Sequence, residues 1–576
     1  ATTEIYTLSL HDALPILFKK TDPNPQLDIF TAPSMQLGSR ASKKYSDPNS
    51  WHNQFYSLVT TKIDEEIFKP LFPEGKKSGR PNASIRILVA MSVLKEGFGC
   101  SDEDLFEKCE FDLLTRKALG MELLTDVTPS IDTYYLFRRR ICEYQERTGI
   151  DLMQLCFEQL AGKHVHLLKI SGKCVRMDSK LIGSNIARQS RYELIHTTLV
   201  KFLKTCTLTH LSPEQEERAK EYLKEDSSKT VYRSDSDTLQ SNLARIGNFI
   251  MEMLAVFPAT SPAHDLLLRL FEEQYVVMDG KAVLRDKKEV KADSLQNPND
   301  PDATYRAKND QKVQGYVTNI TETVEEGKPN IITSVQVETA VFADCHFLQE
   351  AVENSERVTD STIEDLYADG AYQSPDNREF AKNHNAMQLK TGKMQGGCRW
   401  ELIPHDEDGL TIREIATGNT YEAVKAVTKQ GSRKRWRIPW NNKNGWRYFE
   451  DKDIKAYQLR KQIESLPLEE QHKRNNVEAA MCQYSFHTRN GKTRYRGLLK
   501  HRMHAYSRCM WMNLRRMVIF QISTFQRSIF ALFGPIREAF GSFKAISRKI
   551  FTSGADCYVS LRMTTLVMLD SKYAPF

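Results

Sequence analysis

A chain of 576 residues is too long for one compact core, and its length points to about three or four domains. With 40% hydrophobic and 27% charged residues it has the composition of an ordinary soluble globular protein, and a net charge of +7 permits a nucleic-acid partner without requiring one. Its 11 cysteines, odd in number and without a C-x-x-C pair, argue against a zinc ribbon or a disulfide framework and read as buried thiols of a reducing cytosol. No uninterrupted apolar stretch reaches the ~18 residues of a membrane span. The most apolar part, Met517 to Ile536, is broken by Gln521, Gln526 and Arg527.

Ala1 to Phe18 lacks the basic start of a signal peptide and carries His11 and Asp12 inside its apolar part. It reads as a foreign leader, and residues 19–50, rich in Pro, Ser, Asn and Lys, as a linker. Helical periodicity over 51–165 predicts a helical N-terminal domain, with Ser84 to Leu94 inside one buried helix. Gly97, Gly99 and Ser101 mark a turn and a new helix start, and Asp102, Glu103 and Asp104 suit the first turn that follows. Thr128 is expected to cap a helix opened by Pro129 and ending in Arg138-Arg139-Arg140. Short helices, tight glycine turns and a basic end fit a helix-turn-helix-like DNA module; they fit a plain bundle with a solvated basic face as well.

Cys174-Val175-Arg176-Met177-Asp178-Ser179-Lys180-Leu181-Ile182, within 166–190, reads as a strand with one acidic residue at its end. Residues 191–275 are helical, highly charged and free of chemical motifs, as in an inserted subdomain. The polar stretch Val276 to Lys312, which carries Arg306 and Lys308, reads as turns. Strands are predicted at Val313–Val324 and Ile331–Ala340, joined as a hairpin. A helix at Phe347–Glu353 precedes the strand Asp365-Leu366-Tyr367-Ala368-Asp369-Gly370-Ala371-Tyr372; a helix at Asp376–His384 and a strand at Met387–Leu389 follow. Over 276–392 this order suits a mixed α/β or α+β fold, a mixed sheet flanked by helices as in the RNase H fold, with two insertions.

The second insertion, 393–455, is β-rich and places Trp400, Trp436, Trp440 and Trp446 among Arg399, Arg433, Lys434, Arg435, Arg437, Lys443 and Arg447. Trp436 or Trp440 are candidates to stack on an unpaired base, since aromatic faces hold bases while arginines hold phosphates. The same tryptophans equally suit the insertion's own core. Residues 456–516 carry Glu478 in Arg474-Asn475-Asn476-Val477-Glu478, then a basic run with Lys492, Arg494, Arg496, Lys500, Arg502, Arg508, Arg515 and Arg516. Residues 517–576 are an apolar, mildly basic tail without an assigned role. Asp344-Cys345-His346 has no partners at metal-ligand spacing.

Phosphodiester cleavage requires charge neutralisation on both sides of the reacting phosphate, which two divalent ions held by carboxylates supply. Burying carboxylates together is unfavourable unless a cation neutralises them, and oxygen ligands favour magnesium or manganese. Asp178, Asp369 and Glu478 are the candidate ligands. Each is weak evidence alone; their order along the chain is the signal.

Asp178 in C-V-R-M-D-S-K, Asp369 in Y-A-D-G-A-Y and Glu478 in R-N-N-V-E, followed by R-Y-R-G-L, resemble the DDE transposases of bacterial insertion sequences. The resemblance runs from about residue 50 to 516. It is to the branch whose RNase H-like domain is interrupted by insertions and preceded by a helical DNA-binding domain. It implies a catalytic triad of Asp178, Asp369 and Glu478 holding two Mg2+ or Mn2+ ions. The implied reaction cuts double-stranded DNA at terminal inverted repeats and joins the ends to target DNA, with a homodimer pairing two ends. Arg474 matches the arginine of a Y-R-E-K signature, while Gln471 and Ser485 stand at its tyrosine and lysine positions, so the hairpin-forming route is not implied. DNA contacts are expected from Arg138, Arg139, Arg140, Arg306, Lys308, Arg433, Arg435, Trp436, Trp440, Arg474, Arg494 and Arg496. The resemblance also implies a location in the bacterial cytoplasm, at the nucleoid. A nuclease of the same fold without strand transfer, and a decayed copy that still binds DNA, are the alternatives.

Overall fold

The computed structural model describes residues 16–21, 32–72, 80–257, 261–308, 311–391, 398–405, 409–427, 434–440, 445–465, 467 and 478–539, with the backbone alone beyond Thr524. Its centre is a six-stranded mixed sheet: β1 (Cys174–Gly183), β2 (Thr304–Lys308), β3 (Gln311–Thr323), β4 (Ile332–Thr339), β5 (Asp365–Ala368) and β6 (Gln388–Thr391). The spatial order is β6-β5-β1-β3-β2, with β4 also paired to β3. β1, β3 and β4 form an antiparallel meander, whereas β5 and β6 run parallel to β1. The mixed α/β class read from the element order is the class of the structure, and β3 and β4 lie within two residues of the predicted hairpin strands.

Alternation along the strands divides the sheet into two faces. Val175, Met177, Val317, Leu366 and Ala368 point to one face and pack on Phe347, Leu348, Ala351 and Val352, at the start of the helix Leu348–Thr359. Ile182, Tyr316, Ile320, Val335 and Val337 point to the other face. There they join a core that also contains the N-terminal helices and the long helix Leu498–Ala539. The stretch 51–165 therefore does not keep a core to itself. The reason is legible in the helix Ile85–Phe98, which is apolar nearly all round and has to be covered on every side. The long helix supplies the missing cover, so closely that a Cβ on Gly97 would collide with the Trp511 ring.

Local signals act largely as read. Ser101 forms a capping box with Asp104. One start is displaced: the arginine-rich helix is Ile131–Thr148, capped by Ser130 rather than Thr128, and the Thr128 hydroxyl instead donates to the Cys109 carbonyl at 3.2 Å. Helices between Arg191 and Gln274 enclose a core of their own. That core also takes in a hairpin, Tyr275–Met278 with Lys281–Leu284, inside the stretch read as turns. Asp279 and Gly280, both at positive φ, make its turn, and the Asp-Gly pair was the available signal. Strands between Trp400 and Glu450 form two three-stranded sheets over a shared core with the helix Asp451–Glu464. Among the described residues no helix is long and apolar enough to cross a membrane, and the ten described cysteines are free thiols.

Two buried histidines tie this architecture to pH. His164 Nε2 donates to the Leu58 carbonyl (2.8 Å), and burial pushes its pKa down to about 4. His501, packed on the Tyr316 ring, is pushed down by burial, then by His504, to about 3. In the unfolded chain both protonate near 6.5, so acid favours unfolding: their contribution is present above about pH 6.5 and lost as pH falls through the folded values. Chemical denaturation should therefore give a stability lower at pH 5 than at pH 7.5 by about 2 kcal/mol for each histidine. Equal midpoints at the two pH values would contradict this.

Candidate active site

β1 and β5 are parallel neighbours in which Arg176 lies opposite Tyr367. Asp178 and Asp369 each stand two residues further along, so this register brings them side by side, on strands about 4.8 Å apart. Met177 and Ala368 point into the layer under the helix Leu348–Thr359, which places both aspartates on the opposite face. Asp178 is not at the end of its own strand: β1 continues to Gly183 against β3, and it is β5 that stops. The aspartate thus lies in mid-strand beside the point where its parallel neighbour turns away. Asp178 Oδ1 accepts from the Ser179 amide (2.8 Å) and Asp369 Oδ1 from the Gly370 amide (2.7 Å), and both residues are half-buried.

Tyr372 lies beneath this pair. Its ring is fully buried, its hydroxyl donates to Asn319 Oδ1 (2.7 Å), and Asn319 in turn donates to Gln336 (2.8 Å). Burial first, then the negative charges of Asp178, Asp344 and Asp369, raise the phenol well above its ordinary pKa. Two residues before Asp178 and on its face, Arg176 is buried against Glu322 (2.5 Å), and Arg516 of the long helix reaches the same carboxylate (2.6 Å). This triad locks β1, β3 and the long helix together under the site.

Glu478 is exposed and lies in a helix described over 478–484. Ala480, Met481 and Tyr484 of that helix are buried in the core on the aspartate face. Tyr484 Oη meets Thr318 Oγ1 at 3.3 Å, and Thr318 pairs with Lys180 across β3 and β1. The Lys180 ammonium donates to Ser485 Oγ (2.7 Å) and to the Met481 carbonyl (3.5 Å). The glutamate's helix therefore covers the sheet face that carries both aspartates. Yet among the described residues no three His, Cys, Asp or Glu side chains stand close enough to hold a metal ion. The register sets Asp178 and Asp369 side by side, while the Glu478 side chain is exposed on the covering helix. Its helix buries other positions and leaves this one facing solvent. Two half-buried carboxylates side by side offer the oxygen donors that a hard divalent cation takes.

Comparison with known families bears on the N-terminal part. Residues 44–140 match a family described as Transposase domain (DUF772). This part of the chain is similar to a transposase domain. No curated protein and no solved structure matches the chain.

Within the transposase-domain match, the three arginines differ in their surroundings. Arg138 is wedged between the rings of Tyr134 and Tyr495, Arg139 faces the exposed Glu143 at 3.6 Å, and Arg140 lies over Phe72. Arg306 and Lys308 both pair with the buried Asp344, at 3.0 and 3.8 Å. Arg435 pairs with Glu450 (3.0 Å). Trp436 is buried in the core of its insertion, so the stacking role read for it gives way to the core role. Its strand pairing turns it inward, toward Trp400 and Phe449. Arg494 donates to the Gly99 and Cys100 carbonyls, just past the end of the helix Ile85–Phe98, and Arg496 donates to the Asn185 carbonyl at 2.7 Å. Arg433, Arg474 and Gln471, and the Trp440 side chain, lie outside the described residues. Spacing alone cannot separate an arginine that caps carbonyls from one that faces DNA. Sequence reasoning passed over Tyr372 and gave Lys180 no role of its own, although both sit inside the quoted motifs.

Proposed function

We propose that this chain is a DDE transposase: a metal-dependent nuclease and strand transferase that acts on the ends of an insertion sequence from an RNase H-like sheet. The observation that carries this reading is the register that sets Asp178 beside Asp369 on one face, in a chain whose residues 44–140 match a transposase domain. The strand order, an antiparallel meander extended by two parallel strands, supports the RNase H-like assignment. Asp178 and Asp369 would hold two Mg2+ or Mn2+ ions, with Glu478 as the third carboxylate. Such ions, when bound, neutralise the phosphate and activate the attacking oxygen.

The chain's own residues prepare that site. Asn319 and the Ser179 and Gly370 amides fix the aspartates and the tyrosine beneath them. Tyr372, its pKa raised, stays protonated at neutral pH and acts as a hydrogen-bond donor rather than a base. The partners are double-stranded DNA, as terminal inverted repeats and as target, and a second copy of the chain that pairs the two ends.

The test uses the purified chain, Mg2+ and a duplex carrying the inverted repeats that flank its gene. Nicking at the repeat ends followed by joined products is expected. Nicking without joining would favour a nuclease of the same fold, and DNA binding without nicking a decayed copy.

A further inference from the structure

The glutamate's helix ends at Tyr484. Side chains from elsewhere fix its far end. Arg508 donates to the Gln483 carbonyl (2.6 Å) and, with the same guanidinium, to the Glu96 carbonyl (2.9 Å). Lys180 donates to Ser485 Oγ (2.7 Å), whose own proton goes to the Met481 carbonyl (2.9 Å). A cation placed on the last carbonyls of a helix also opposes the negative end of its dipole. Lys180 belongs to β1, two residues from Asp178 and on the same face, so one strand carries an aspartate of the site and the anchor of the glutamate's helix.

We infer that Lys180 is a positioning residue for Glu478: its ammonium ties the end of the glutamate's helix to the strand of Asp178, and so sets where the third carboxylate meets a divalent cation. This rests on the proposed reading of the three acids as metal ligands. Partners that orient ligands in this way typically account for 10–100-fold in metal affinity.

The experiment measures Mn2+ binding to the full chain without DNA, following free Mn2+ by electron paramagnetic resonance. Asp178→Asn and Glu478→Gln should each weaken binding. Lys180→Met should weaken it by about as much as Glu478→Gln, roughly tenfold, and Lys180→Arg should recover most of the loss. The double variant Lys180→Met/Glu478→Gln should bind no more weakly than Glu478→Gln alone, because the lysine acts through the glutamate. Ser485→Ala, which removes the lysine's hydroxyl acceptor and the bond from that hydroxyl to the Met481 carbonyl, should shift affinity in the same direction by a smaller factor, and it carries the test if Lys180→Met does not fold. Wild-type affinity in both Lys180→Met and Ser485→Ala, or losses that multiply in the double variant, would overturn the inference while leaving the metal site standing. Unchanged binding in both Asp178→Asn and Glu478→Gln would instead remove the metal reading itself, and this inference with it.

Discussion

Asparagine at position 178 is expected to slow metal-dependent nicking by at least ~1000-fold, equivalent to about 4 kcal/mol of barrier. The substitution keeps the shape of the side chain and an oxygen for the Ser179 amide, so the local backbone has no reason to move. What it removes is one negative charge from a face where Asp178 and Asp369 already act together on Tyr372. DNA binding should hold or tighten slightly, because a repulsive charge facing phosphate is gone. Folding stability should not fall. Nicking kinetics at saturating Mg2+, with a gel-shift titration alongside, separate these effects. An Asp178→Asn protein that nicks within tenfold of the parent would show that the aspartate pair is a structural feature of the sheet.

The second large effect concerns stability. Glu322 is fully buried, and its carboxylate is shared by Arg176 (2.5 Å) and Arg516 (2.6 Å). Glu322→Ala would leave two guanidinium groups in the interior without their counter-charge, and removing one partner of a buried ion pair typically costs 3–5 kcal/mol, about as much as a sizeable part of a domain's stability. Because the triad joins β1 and β3 to the long helix, the loss should appear in the main unfolding transition rather than as fraying at one end. The exposed pair Lys173–Glu364, 2.7 Å apart, provides the contrast: Glu364→Ala should leave the urea midpoint unchanged. Similar midpoints for Glu322→Ala and Glu364→Ala would mean that water reaches the triad.

The differences between sequence and structure follow one pattern. Element types were readable where the signal is local: the hairpin of β3 and β4, the capping box at Ser101, and the helices around β5. The Asp-Gly hairpin at Tyr275–Leu284 was equally local and was missed because polar neighbours on both sides masked two short apolar runs. Charge proved a poorer guide. Arg138, Arg306 and Arg494 look alike in a linear string; in the fold they are a ring-stacked side chain, a partner of the buried Asp344 and a donor to the carbonyls beyond a helix end.

By itself the sequence determined the mixed class of the fold and the order of most of its elements. Periodicity and capping act over one or two turns, and the residues that carry them are neighbours in the chain. The tertiary structure alone decided that Asp178 lies mid-strand beside Asp369, that Trp436 faces inward, that the N-terminal helices share their core with the sheet, and that Glu478 stands on the covering helix facing solvent. Each of these depends on strand register or on burial against a distant segment, and neither is set until separated parts of the chain compete for the same apolar surface.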